Sequence, residues 1–308
     1  MIGRIADGIS VVNFGQPRKG ATMTRQICVN AGINNLARTR FGTAFFSLFA
    51  SVLLGACATL PGTSIVRNAG TDIAYSLAGS GSQTVVLQSG LGDGKQAWTN
   101  VFAKLSASRA VFAYDRPGYG ESGDGVTARD PCSIASELRS LLSAAKVKPP
   151  YVLVGHSLGG LYQYAFAKLY PAEVAGIVLL DPTHPQHWQR MQRDLPVFAA
   201  LVSGMRATLF SAAMRREFDD QEKCLERLAA LPPIDNVTRV LTRSRFELSE
   251  LGPFESMVRA LEPDWLTLTG AKQIERVVGA RHYIHKDRPD AVVAAINAVA
   301  LAPQSVRN

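Results

Sequence analysis

The chain is short of charge, with 19% Asp, Glu, Lys and Arg over 308 residues, and holds only four cysteines, Cys28, Cys57, Cys132 and Cys224. Their wide, irregular spacing fits neither a metal site nor a dense disulfide framework. Cys132 and Cys224 are expected to be buried small hydrophobes, with a disulfide between them the lesser alternative. No internal repeat and no dinucleotide fingerprint occurs, which argues against solenoids and nucleotide-cofactor enzymes. No basic patch is interleaved with aromatics. The formal net charge of +8 does not describe a folded face, because six basic residues and one acidic residue precede Cys57, leaving 27 basic and 24 acidic residues after it. Nucleic acid is therefore not an expected partner. What is present is 47% hydrophobic residues, enough to bury a sizeable core in one domain.

One uncharged run stands out near the start. Arg38 and Arg40 precede Phe41 to Ala56, and the run ends at Cys57. A basic flank, an apolar stretch too short to span a bilayer comfortably and small residues at its end have the form of an export signal. Leu54-Gly55-Ala56-Cys57 also resembles the lipobox of bacterial lipoproteins, in which the cysteine is lipidated; an uncleaved anchor helix is the alternative. Met23 offers a later start. Residues 1–56 are therefore read as an N-terminal extension and signal or anchor, residues 57–308 as the folded domain. The expected location is the cell envelope, with the folded domain outside the cytosol and at a membrane surface.

From Thr63 onward, short β-branched runs alternate with longer helical patterns, which predicts an α/β sheet covered on both faces. Eight strands are expected: Ser64 to Arg67, Thr71 to Leu77, Thr84 to Gln88, Ala110 to Tyr114, Tyr151 to Gly155, Ala175 to Leu180, Thr238 to Thr242 and Gln273 to Val278. The first two, separated by Asn68-Ala69-Gly70, read as an edge hairpin, and the later ones as central parallel strands. Helices are expected over Gln96 to Leu105, Cys132 to Ala145, Leu158 to Leu169, Phe254 to Thr269 and Asp290 to Leu301. Residues 184–235 hold no strand run; their apolar stretch from Leu195 to Phe210 and charged stretch from Arg215 to Arg227 predict a small helical cap.

Gly155-His156-Ser157-Leu158-Gly159 lies directly after one strand run and directly before a helical segment. Glycines on both sides permit a sharp turn that projects the serine Oγ at the carboxyl edge of the sheet, over a helix N-terminus that favours negative charge. This segment resembles the nucleophile elbow of the α/β-hydrolase superfamily, and the likeness extends over residues 64 to 302. Gln88-Ser89-Gly90-Leu91-Gly92 is similar to the family's oxyanion loop, with Ser89 where histidine is common. Tyr114-Asp115-Arg116-Pro117-Gly118-Tyr119-Gly120-Glu121-Ser122 resembles the loop after the fourth strand, and His282-Tyr283-Ile284 the catalytic-histidine segment.

The resemblance implies an α/β-hydrolase fold with an eight-stranded, mostly parallel sheet and a small helical cap, and an acyl transfer that requires no metal or organic cofactor. Ser157 is the expected nucleophile and His282 its base. Asp181, which ends the sixth strand before Pro182, is the first choice for the acid that orients the histidine; Glu247 and Asp264 are the alternatives. Backbone N–H groups of Leu91 and Leu158 are the expected oxyanion donors. His156 is expected to pack or hydrogen-bond away from the reaction, and Arg116 to brace nearby loops. Serine at the elbow, in place of aspartate, argues against epoxide hydrolase and dehalogenase chemistry. The expected partner is a small or medium apolar carboxylic ester, with lactone, carbon–carbon and peptide hydrolysis, or a non-enzymatic binding role, as alternatives.

Overall fold

The computed structural model describes residues 60–302, so the export-signal reading and Cys57 lie outside the described residues. Eight strands form one sheet in the order β1-β2-β4-β3-β5-β6-β7-β8. They are β1 (Thr63–Asn68), β2 (Thr71–Ala78), β3 (Thr84–Gln88), β4 (Ala110–Tyr114), β5 (Tyr151–His156), β6 (Val174–Leu180), β7 (Val237–Arg243) and β8 (Ile274–Val277). β1 and β2 form the edge hairpin, β2 runs antiparallel to β4, and the remaining neighbours are parallel.

Eleven α-helices accompany the described strands. α1 (Thr99–Ser106), α2 (Pro131–Ala144) and α3 (Leu158–Leu169) lie between the early strands. α4 (His187–Asp194), α5 (Pro196–Leu209), α6 (Ala212–Asp220) and α7 (Leu225–Ala230) fill the interval read as a cap. α8 (Pro253–Leu261), α9 (Asp264–Thr269), α10 (Ile284–Asp287) and α11 (Pro289–Ala300) complete the chain. The continuous runs of the central strands are explained by burial on both faces. In β3, Val86 joins the core under α2 and α3, while Val85 and Leu87 join the core under α1 and α11; β5 divides Leu153 from Val152 and Val154 in the same way.

Two expectations are corrected. The helix expected over Phe254 to Thr269 is two helices, because Pro263 has no N–H to continue the ladder. Glu262, at that break, is buried and accepts from Arg276 Nη2 at 2.6 Å. Cys132 and Cys224 are joined by a disulfide across 92 residues, with Cα atoms 6.2 Å apart. It ties the start of α2 to the residue preceding α7, a link between the sheet's covering layer and the cap segment.

Candidate active site

The turn between β5 and α3 is held by close backbone contact. A Cβ on Gly155 would fall 2.4 Å from Gly159 O, and one on Gly159 would fall 2.4 Å from Gln88 O. No side chain fits at either position without moving backbone. Ser157 sits between them at φ 53°, ψ −124°, a conformation a non-glycine residue adopts only when its surroundings impose it. Those surroundings are hydrogen bonds: Ser157 N donates to Leu180 O at 3.1 Å, while Gly160 N and Thr183 N donate to Ser157 O at 2.9 and 3.0 Å. Strain of this kind concentrates where a side chain must be displayed.

Asp181 follows β6 directly and is also forced to positive φ, at 44°. Its N–H donates to Leu241 O at 2.7 Å, which aims the nearly buried carboxylate across the ends of the strands. Oδ2 lies 2.6 Å from His282 Nδ1. The imidazole hangs from the loop after β8, and that loop is pinned because Ser244 N and Arg245 N both donate to Ala280 O at 3.0 Å. His282 is thereby placed beside the turn that carries Ser157, with its ring 4.6 Å from that of His156. His156 Nε2 donates to His282 O at 3.0 Å, so it supports the histidine loop. Burial holds His156 well below the usual imidazole range, which keeps it neutral.

An arginine completes the cluster. Arg243, the last residue of β7, donates from Nε to Asp181 Oδ2 at 2.6 Å and from its backbone N–H to Oδ1 at 3.2 Å. Its Nη1 bridges both oxygens of Glu250 at 3.0 Å. Its Nη2 lies 3.0 Å from His282 Nδ1. Burial by itself would raise the Asp181 carboxyl, but hydrogen bonding and charge from His282, with the guanidinium beside it, outweigh that and hold it below the usual carboxylate range. An ionised Asp181 can only accept, and its contact with Nδ1 is the shorter, so the imidazole proton belongs on Nδ1. Nε2 is then bare and able to take a proton.

The other acids named from the sequence stand elsewhere. Glu247 pairs with Arg281 at 3.3 Å, both being more than half exposed. Asp264 faces His184 Nε2 at 3.6 Å. Neither is brought to His282. Arg243 is the site residue not anticipated from the sequence; Glu250, on the loop after β7 that offered acids beside Glu247, binds Arg243 and does not reach His282. The available signal was an arginine at the end of β7, the edge where the family commonly keeps its acid.

The loop carrying Leu91 also approaches Ser157. A Cβ on Gly90 would come within 3.0 Å of Ser157 Cβ, so the two segments touch. Arg116 fixes this loop by donating from Nη1 to Ser89 O at 2.6 Å and from Nη2 to Gly90 O at 2.8 Å. Because a trans peptide directs its C=O and N–H oppositely, holding Gly90 O on Arg116 turns the Leu91 N–H away from the arginine. Leu158 supplies the first N–H of α3, adjacent to the serine. Ser89, where histidine is common, ties the loop internally: its hydroxyl donates to Gly94 O at 2.8 Å and accepts from Trp98 Nε1 at 2.9 Å.

Arg116 is itself fully buried and paired with Glu217 of α6, at 2.9 Å from Nε to Oε1. Glu217 also accepts from Arg129 Nη2 at 2.9 Å and from Tyr119 Oη at 2.8 Å, and Arg129 reaches Glu137 at 3.0 Å. Two buried guanidinium groups thus face two carboxylates. The cap segment approaches the same loop with apolar atoms, since Met214 Cε lies 3.3 Å from where a Gly92 Cβ would be. Among the described residues, Asp130, Cys132 and Cys224 form the one grouping with metal-ligand atoms in reach, but its two sulfurs are bonded to each other.

The alpha/beta hydrolase family model matches residues 85–295, more than half of the chain. The chain belongs to that family. Its eight-stranded, mostly parallel sheet and its broad reading as a hydrolase accord with this membership. It is 28% identical over 232 residues to the uncharacterised protein YqjL of Bacillus subtilis (strain 168), covering 71% of this chain and 83% of that one. Other curated relatives are matched over about a third of their length. Among solved structures it resembles the enol-lactonase from Burkholderia xenovorans LB400, at TM-score 0.59 and 18% identity, over 78% of this chain and 100% of that one. It also resembles the epoxide hydrolase CorEH, at TM-score 0.58 and 20% identity, over 75% of this chain and 95% of that one. These two likenesses concern the fold.

Proposed function

We propose that the protein is a serine hydrolase that cleaves small or medium carboxylic esters with an apolar part, through an acyl-enzyme. The observation that carries this reading is the 2.6 Å contact between Asp181 Oδ2 and His282 Nδ1 beside the strained Ser157. Ser157 Oγ attacks the ester carbonyl carbon while His282 Nε2 takes its proton. The tetrahedral oxyanion is met by the N–H groups of Leu91 and Leu158, backbone donors that are already fixed before the reaction begins. Collapse expels the alcohol, which leaves with the proton held on Nε2. Water then attacks the acyl-enzyme with the same imidazole as base, releasing the carboxylic acid and restoring Ser157. Asp181 keeps the imidazole in the Nδ1–H tautomer and offsets the charge of the imidazolium.

The apolar preference is supported by Met214 against the Leu91 loop. Export to the cell envelope is supported by the Cys132–Cys224 disulfide, since such bonds persist in oxidising compartments. That support is independent of the Phe41 to Cys57 signal.

Hydrolysis of p-nitrophenyl esters of increasing acyl length tests the reading. Ser157→Ala and His282→Ala should abolish turnover, and Asp181→Asn should lower kcat by about 10³- to 10⁴-fold, while Glu247→Gln changes it little. Near-normal turnover by Asp181→Asn would remove Asp181 from the mechanism.

A further inference from the structure

The ends of β6 and β7 present opposite charges to one imidazole. Asp181 Oδ2 accepts from His282 Nδ1 and from Arg243 Nε, each at 2.6 Å, so the carboxylate that should serve the histidine is shared with a cation. Arg243 Nη2, 3.0 Å from Nδ1, also sets an N–H against the N–H that the productive tautomer requires. Left alone, the guanidinium would disfavour both that tautomer and the imidazolium. It is not left alone, because Glu250 binds Nη1 through both carboxylate oxygens on the far side. The side chains of Asp181 and Arg243 are nearly buried, and Glu250 is about one-fifth exposed, so these charges act in a poorly screened environment.

We propose that Arg243 and Glu250 are positioning residues that set the proton affinity of His282 in opposite directions, a role that rests on the serine-hydrolase reading above. Arg243 anchors Asp181 and opposes a proton on the imidazole. Glu250 cancels much of that opposition.

The other groups around His282 leave this balance to the two residues. His156, with its ring 4.6 Å away, and His285 behind it are kept neutral by burial, His285 being lowered to about 3. His187, at the start of α4, is lowered to about 4 for the same reason. Tyr283 lies 5.5 Å away and is raised to about 12 by burial, so it is neutral as well. Lys286 sits over the Tyr283 ring at 3.9 Å, half-exposed, with Asp93 3.9 Å from its ammonium group. Among the described residues, the remaining charges in direct contact are Asp181 and Arg243, with Glu250 behind.

The test is the acid limb of the kcat/KM–pH profile for p-nitrophenyl butyrate in wild type, Arg243→Met, Arg243→Lys and Glu250→Gln. Arg243→Met removes the positive charge, so the limb should move to higher pH by on the order of one unit. Glu250→Gln leaves Arg243 uncompensated, so the limb should move to lower pH by a similar amount. Arg243→Lys keeps the charge and should stay nearer to wild type than Arg243→Met. A residue that merely supports the fold would lower kcat without moving the limb, and would not give opposite signs in the two variants. Limbs that stay within about 0.2 units of wild type, or that move in the same direction, overturn the proposal. If Arg243→Met does not fold, Glu250→Gln alone decides by its sign.

The His282 imidazole titration, followed by NMR in the same proteins, separates this proposal from the reading it rests on. Shifts of the predicted signs in a protein that hydrolyses no ester would uphold the charge arrangement and remove the esterase reading. Ester hydrolysis that depends on Ser157, with an unmoved titration, would do the reverse.

Discussion

Replacing Glu217 by glutamine keeps the shape of the side chain and removes its charge. In the native structure this carboxylate, fully buried on α6, faces Arg116 and Arg129, whose side chains are at most 1% exposed. Arg129 would retain Glu137 at 3.0 Å. Arg116 would retain the carbonyls of Ser89 and Gly90 and at most the neutral amide oxygen of the glutamine, leaving a buried guanidinium with no carboxylate. Breaking a buried ion pair from one side costs about 3–5 kcal/mol, against a total stability of about 5–15 kcal/mol. For a domain of this size, that corresponds to a fall in Tm on the order of 10 °C. Replacing Arg116 and Glu217 together by methionine should cost much less than the sum of the single changes, because no unpaired charge remains. Thermal unfolding followed by circular dichroism reads wild type, Glu217→Gln, the double methionine variant and its two single variants. A Tm for Glu217→Gln within about 2 °C of wild type would refute the account of this network as a closed set of buried charges. The same variant should lower kcat, since Arg116 carries the Leu91 loop.

Three further outcomes are expected. Reductant should lower the Tm of wild type but not of a Cys132→Ser, Cys224→Ser double variant, with a cost of about 2–4 kcal/mol for a bond closing so long a loop; an unchanged wild type would contradict the disulfide. Gly159→Ala should cost about 1–3 kcal/mol or more and most of the activity, because the added methyl meets backbone oxygens of Gln88 and Ser89 that cannot move singly; normal urea unfolding and turnover would show the turn to be looser than described. Burial lowers His285 to about 3, so between its unfolded value and this one the unfolded chain binds the extra proton. Stability should therefore be full above about pH 6.5 and fall with acid, by up to about 1.4 kcal/mol per pH unit for each such histidine. Urea titrations at pH 7, 6, 5 and 4 should show a shallower fall in His285→Phe, and equal slopes would contradict the assignment.

Most of the sheet could be read directly, because a strand buried on both faces must be a short apolar run. The expected strand limits differ from those observed by no more than one residue at either end. The elbow was legible for a similar reason, since close backbone approach at Gly155 and Gly159 excludes every other residue. Features that depend on the cap were not legible. Whether Cys224 meets Cys132 depends on how four short helices fold back over α2, which periodicity does not reveal. Glu217 lies in a charged stretch that resembles a solvated face; only the approach of α6 to Arg116 buries it. The role of Arg243 was not legible either, because it depends on a side chain crossing between neighbouring strand ends. The side chain there reaches across to the acid on β6 and serves it as a partner.

The central claim is that Ser157 is an activated nucleophile, and covalent capture tests it most directly. The folded protein, incubated with a fluorophosphonate probe and analysed by intact and peptide mass spectrometry, should carry one adduct per chain, on Ser157. Ser157→Ala should carry none, and Asp181→Asn should react far more slowly than wild type. A folded wild-type protein that takes up no probe, or takes it up at another residue, would contradict the account.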